Sequence, residues 1–324
     1  MQRRNFLIKS IGLAASVSLP FPALAKSDWP AKPIRIVVPV PPGGSLDILA
    51  RTIAKELTPK LNQPVVVENM AGGGSNIAFS HVAKAQPDGH TLLLGWDSLV
   101  INPSLYSSIP YTLQQFAPIT LAITSPQVLV VGSKLPVNNL KEFIEAARKA
   151  SGGLTLANAG SGSPGHLAGT LLETHTGLKF TNVPYKGGAP AVADLLAGHV
   201  DALMVTLPAA FQHIKAGRLK ALGVTSAKRS TGASEIPTIA EAGVAGYELN
   251  SWQGILAPAG TPADIISTLN KHIVAILRDR AIRELLVPQG FEIVASSPDG
   301  LAKELARLTP RWAKLVQASG ARVD

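Results

Sequence analysis

The stretch IRIVVPVPPGGSLDILARTIAKEL, residues 34–57, reads as a buried strand, a Pro/Gly loop and a helix. The β-branched run Ile34, Ile36, Val37 and Val38 suits a strand covered on both faces. Pro41, Pro42, Gly43 and Gly44 cannot continue it, and the two glycines let the backbone take φ > 0 close to a ligand. Ser45 is the expected N-cap, with Leu49, Ile53 and Leu57 marking one helical face. The unit presents free N–H groups of a helix N-terminus at the carboxyl end of a strand, an anion site in outline. Taken alone, it is also an ordinary βα turn.

The unit recurs three times. Val65-Val66-Val67-Glu68 leads into Gly72-Gly73-Gly74-Ser75-Asn76 and a helix through Ala78 and Val82. Leu154-Thr155-Leu156-Ala157 leads into Gly160-Ser161-Gly162-Ser163-Pro164-Gly165 and a helix through Leu167, Leu171 and Leu172. Val183-Pro184-Tyr185 leads into Lys186-Gly187-Gly188 and Pro190, a residue favoured at the first helical position. Two units lie early and two in the middle of the chain. If each pair belongs to its own lobe, four polar loops converge on one cleft.

The 324 residues suffice for two lobes with proper cores. Apolar content of 46% with 16% charged residues excludes disorder, and alternating strands and helices argue for an α/β class. Net charge is +9; Arg3, Arg4 and Lys9 carry three of these charges, leaving +6 without the first 25 residues. A modest positive field favours anionic ligands. Nucleic acid is not an expected partner, since no dense Lys/Arg cluster appears and aromatics make up only 5%. The absence of cysteine excludes disulfides, thiolate metal sites and a catalytic thiol.

Met1 to Ala25 has the form of an export signal: Arg3-Arg4, a short apolar core from Ile11 to Leu19, and an A-x-A site at Ala23-Leu24-Ala25. The core is too short to span a membrane, which takes about 20 apolar residues. Arg3-Arg4-Asn5-Phe6-Leu7 is similar to the twin-arginine export pattern. Further along, Thr91 to Gly95 is a third strand ending at Trp96. Asn102 to Ala117, with Pro103 and Pro110, reads as loop, and Ile119 to Val131 as an extended crossover broken by Pro126. Asp201 to Val205 is a strand ending at Thr206; Leu219 to Thr225 is a strand able to return to the first lobe. A strand around Trp252, a helix opened by Thr261-Pro262 and a final helix from Ser297-Pro298-Asp299 complete the chain.

Gly160-Ser161-Gly162-Ser163-Pro164-Gly165 matches G-x-G-x-x-G, but the next strand ends Pro184-Tyr185-Lys186 without the acid a dinucleotide site requires. It nearly fits a P-loop too, but His166-Leu167 stands where the lysine belongs. No serine fits G-x-S-x-G. An exported hydrolase using Ser163 and His166 is the rival from another class, while His166 reads equally as a ligand contact or a polar first-turn residue. The seven histidines show no metal-site spacing, so neither metal nor cofactor is expected. Asp47 is expected to bond loop N–H groups and brace its turn, with Arg51 and Lys55 further along the helix on the surface. Lys186 is then the one evident cation among the loops, which suits a carboxylate held by N–H groups and water better than a polyphosphate. Trp96 and Tyr185 end strands near the loops and line the pocket or belong to the core.

At these residues the chain resembles the Bug-type solute receptors of tripartite tricarboxylate transporters. The carrying segments are Val38 to Asp47, Val67-Glu68-Asn69 with Gly72 to Asn76, Gln86 to Gly89, and His166 to Gly169. Val183 to Gly187, Ile214 to Gly217, Leu256 to Pro262 and Ala318 to Ala321 add to them. The resemblance implies a two-lobed periplasmic-binding-protein (Venus-flytrap) α/β architecture, each lobe a mostly parallel sheet flanked by helices. Residues 26–123 and 226–324 would form one lobe and 124–225 the other. It implies a non-enzymatic monomer that closes on a small carboxylate and serves the membrane subunits of such a transporter, or a receptor recruited to signalling. The roles of the family's two carboxylate-clamping loops fall on Gly43, Gly44 and Ser45 and on Gly73, Gly74, Ser75 and Asn76; Pro42, Asp47 and Trp96, beside these loops, are further candidate contacts. The second lobe supplies residues around Ser161, Ser163 and Tyr185, with His166, Lys186 and Thr206 as further candidates. Where many relatives carry an acidic-amide pair, this chain has Val205-Thr206, which favours a plain mono- or dicarboxylate, aromatic ones included, over an amino acid.

Overall fold

The computed structural model describes residues 29–323; the export signal lies outside the described residues. Ten strands run in the order β1 (Ile34–Val38), β2 (Val65–Asn69), β3 (Thr91–Trp96), β4 (Phe116–Val131), β5 (Leu154–Asn158), β6 (Phe180–Pro184), β7 (Ala202–Thr206), β8 (Lys220–Val224), β9 (Asn250–Pro258) and β10 (Glu292–Ile293). The helices are α1 (Ser45–Leu61), α2 (Asn76–Ala83), α3 (Ser98–Leu105), α4 (Leu140–Lys149), α5 (Pro164–Thr176), α6 (Gly188–Ala197), α7 (Leu207–Lys215), α8 (Ala263–Arg278), α9 (Arg280–Leu286) and α10 (Pro298–Ser319).

The strand order β2-β1-β3-β9-β4-β7-β5-β6 gives two lobes joined through β4. Each lobe is built on a parallel trio, β2-β1-β3 in one and β6-β5-β7 in the other. β4 is antiparallel to all its neighbours: its first part pairs with β9 and β10, and from Gln127 on it lies between β7 and β8. Pro126 therefore does not break the strand. It sits where β4 changes partners, a place where a missing ladder N–H is tolerated.

Ile34, Ile36, Val37 and Val38 are fully buried, as a strand covered on both faces should be; each such side chain is worth about 1.5–3 kcal/mol of hydrophobic stabilisation. One apolar cluster packs α1 and α8 on the first lobe, and another packs α6 and α7 on the second. A third is continuous from Phe79 and Leu93 to Leu156 and Phe180, and includes Trp252 and Trp312. Helix α10 seals it by packing on α3, β4 and α5. The Tyr247 hydroxyl ties the same region together by donating to Ala168 O at 2.7 Å.

Four local expectations are corrected. Asn102 is not in a loop: α3 runs through it to Leu105. Pro103 is accommodated because the Leu99 carbonyl, deprived of its helical N–H, accepts the Tyr111 hydroxyl at 3.1 Å. Ser45 is not the N-cap of α1: Gly44 holds that position and Ser45 is the first helical residue. Helix α6 starts at Gly188, which places Pro190 third rather than first. Thr261 does not cap α8, since its hydroxyl donates back to Pro258 O.

Candidate functional site

The parallel pairing of β1 with β2, and of β5 with β6, sends the four glycine loops out from the carboxyl ends of their strands. In the first loop the carboxylate of Asp47, 4% exposed, turns back on the chain. Oδ2 accepts Gly43 N–H at 3.0 Å and Arg51 Nε at 2.9 Å, and Oδ1 accepts Asn69 Nδ2 at 2.9 Å. Burial pulls its pKa up, but the bonds from Arg51, Gly43 and Asn69 outweigh that and leave it below the ordinary value. Asp47 thus braces the loop, and Arg51, though half exposed, belongs to the brace through Asp47 and Asn69.

The loops form a chain of contacts. Ser75 Oγ donates to Pro39 O at 3.1 Å and Asn69 Nδ2 to Val40 O at 3.1 Å, joining the first loop to the second. Asn102 Nδ2 donates to Gly74 O and Asn76 Oδ1, both at 2.8 Å, anchoring the second loop on α3. The end of α3 then reaches both lobes. A Cβ on Gly74 would strike the Tyr106 hydroxyl, and one on Gly162 would strike the Leu105 side chain. Both glycines also have positive φ, 60° and 71°. Finally, Tyr185 N–H donates to Asn158 O at 3.0 Å and Gly187 N–H to Ala159 O at 3.2 Å, joining the third and fourth loops.

What the loops offer is mainly N–H. No side chain caps α1, α2 or α6, whose cap positions are Gly44, Ser75 and Gly187. Pro42, Gly43, Gly44, Gly73, Gly74, Ser161 and Lys186 are exposed, while Ser45, Ser75, Asn76 and Ser163 are buried and Thr206 is half-buried. Trp96, also half-buried, donates Nε1 to Ser75 Oγ at 3.1 Å. The Tyr185 hydroxyl is committed to Asp194 Oδ2 at 2.7 Å; burial first, and then that bond, push its pKa up to about 12. Thr206 closes β7 opposite Gln127, whose Nε2 donates to Ser251 Oγ at 2.7 Å.

Ser163 and His166 do not form a nucleophile–base pair. Ser163 Oγ caps α5 by accepting His166 N–H at 3.3 Å, and His166 Nδ1 accepts Gly162 N–H at 3.0 Å. Burial lowers the imidazole pKa, with Glu173 opposing it, so the ring is neutral and serves as an acceptor for its own loop. Among the described residues no group of three His, Asp or Glu side chains forms a metal cluster. Two surface cavities lie beside the site, the larger reaching Met70 and Ile77 at the edge of the second loop. One of about 60 Å³ is lined by Asn250, Arg311 and Trp312, and a groove of about 760 Å³ by Arg35, Lys84 and His90. The loops are marked by their chemistry rather than by volume.

Sequence reasoning missed Gln253, 1% exposed, whose Nε2 donates to Ser45 Oγ at 3.0 Å, together with Leu105, Tyr106 and Gln127. The one signal for Gln253 was its alternation with Ser251 in an otherwise apolar strand.

Two lobes joined by crossing strands, with polar loops from both meeting at α3, define a solute-binding protein. The family model described as "Tripartite tricarboxylate transporter family receptor" matches residues 49–321, and the chain belongs to that family. Protein BugT of Bordetella pertussis is 39% identical over 322 residues, covering 98% of this chain and 97% of BugT. The solved structure of R. palustris Rpa4515 with adipate superposes with a TM-score of 0.87 at 37% identity, covering 91% of this chain and 100% of that one. The periplasmic binding protein BugD superposes at 0.83 with 36% identity, over 91% of this chain and 99% of BugD. The two-lobed architecture is thus the one its relatives share.

Proposed function

We propose that the protein is an exported, periplasmic receptor, a monomer without enzymatic activity, that captures a small carboxylate between its lobes. It passes this cargo to the membrane subunits of a tripartite tricarboxylate transporter. The observation that carries this reading is the set of three helix N-termini without side-chain caps, set on loops linked from one lobe to the other. Such termini hold a carboxylate by N–H bonds and the helix dipole. The likeness to Rpa4515, whose structure holds adipate, supports the ligand class. The basic export segment at the start of the chain and the periplasmic relative BugD support the compartment.

In this reading residues 26–123 with 226–324 close against 124–225, and the ligand shifts the population toward the closed form because it bridges both lobes only there. Gly43, Gly44 and Ser45 hold the ligand from one side with Gly73 and Gly74; Ser161, the first turn of α6 and Lys186 hold it from the other. The test is a thermal-shift screen of mono- and dicarboxylates. A bound acid at 100 times its Kd stabilises the protein by about 2.7 kcal/mol. A shift with a neutral sugar and with no acid would overturn the ligand class.

A further inference from the structure

Ser45, the first residue of α1, and Ser75, the cap position of α2, both stand at the start of a loop-borne helix, yet their hydroxyls are used differently. Ser75 Oγ gives its proton to Pro39 O and receives Trp96 Nε1, so the fold consumes both its donor and an acceptor site. Ser45 Oγ receives Gln253 Nε2, and among the described residues no acceptor takes its proton. Gln253 itself is only half satisfied. Its Oε1 is buried and has no donor among the described residues. β9 sets Gln253 in register between Trp96 on β3 and Ile123 on β4. The Ile123 side chain has no polar hydrogen, and the Trp96 indole N–H is committed to Ser75. A buried amide oxygen left bare is unfavourable enough that a partner is expected.

We infer that Gln253 positions Ser45 and selects the ligand: Nε2 fixes the Ser45 hydroxyl so that its proton meets the carboxylate, and Oε1 accepts from a hydroxyl on the adjacent carbon. The favoured cargo is then an α-hydroxy acid. This rests on the carboxylate reading above. The two ends of one amide lie side by side, so the ligand atoms they serve belong to one end of the molecule. An α-ammonium would also donate, but the nearby Asp47 carboxylate is already bonded by Gly43, Arg51 and Asn69 and leaves no free charge to match it. A neutral hydroxyl meets the site without that mismatch.

Calorimetric titration of the purified protein with matched pairs tests this: lactate against propionate, malate against succinate, mandelate against phenylacetate, with alanine as the ammonium probe. In every pair that binds, the hydroxy acid is expected to bind about tenfold or more tightly, the gain expected from one net hydrogen bond. Gln253→Met, of similar length, should bring that ratio to about one, while Ser45→Ala weakens both members alike and Ser75→Ala leaves the ratio unchanged. Deoxy acids binding as tightly as their hydroxy partners, a ratio that survives Gln253→Met, or alanine outbinding lactate would overturn the inference while the receptor reading stands. Failure of every acid to bind would overturn both.

Discussion

Replacing Asp47 by Asn tests how the first glycine loop is held. The carboxylate receives three bonds, from Gly43 N–H, Asn69 and Arg51. An amide keeps one acceptor oxygen and turns an NH₂ group toward donors. The bonds to charged oxygen from Gly43 and Asn69 are worth about 1.5–3 kcal/mol each. Arg51, with its side chain 54% exposed, adds only about 0.5 kcal/mol after solvent screening. With the bond from either Gly43 or Asn69 retained, the expected loss is about 2–3.5 kcal/mol, or a fall in Tm of about 3–6 °C for a chain of this size. The pH dependence carries the sign. The Asp47 pKa is lowered on folding from 3.8, so its stabilisation is present above that value and is lost as pH falls through the folded pKa. Urea unfolding followed from neutral pH to about pH 2 should show the gap between the wild-type protein and Asp47→Asn closing in acid. A gap under about 0.5 kcal/mol at neutral pH, the scatter of ordinary surface substitutions, would refute the brace. So would a gap that does not change with pH.

Asp97 should behave oppositely. It is fully buried, neither carboxyl oxygen has a hydrogen-bond partner among the described residues, and burial, with the Glu304 charge adding to it, pushes its pKa up to about 8. The folded state therefore holds its proton where the unfolded state releases it, so stability falls as pH rises from 3.8 toward 8; Asp97→Asn should flatten that slope in urea titrations without destabilising the protein at neutral pH. Gly162→Ala places a methyl group against Leu105 at a φ of 71°, and should cost about 1–3 kcal/mol and weaken cargo binding in calorimetry, with Leu105→Ala restoring part of it. Ser163→Ala removes the cap of α5 and should cost about 1 kcal/mol in thermal unfolding, and any ester turnover should be the same in both forms, because Ser163 Oγ and His166 are bonded within their own loop and not to each other as nucleophile and base.

Much of the frame was legible because it is local. The run Ile34 to Val38, stopped by Pro41 to Gly44, carries its own strand, turn and helix start, and its three repetitions gave the four loops. The brace role of Asp47 followed from its place in the first turn. What escaped depends on partners far along the chain. The helix at Ser98–Leu105 was hidden because Pro103 normally ends a helix, and the Tyr111 hydroxyl that satisfies Leu99 O is invisible to periodicity. Pro126 reads as a breaker until β4 is seen to change neighbours at Gln127. Ser45 looked like a cap because serine often is one, yet its hydroxyl is claimed by Gln253, 208 residues away. The contact of Gly162 with Leu105, which links the lobes' loops, likewise exists only in three dimensions.

Amide hydrogen exchange, with and without a saturating carboxylate identified by the screen, reads the closure of both lobes on one ligand at residue level. Protection should rise together at Gly43 to Asp47, Gly73 to Asn76, Ser161 to Gly165 and Gly187 to Ala191, while helices α4 and α9, remote from the loops, stay unchanged. Protection confined to a single lobe, or arising at the groove beside Lys84 and His90 instead, would contradict the account.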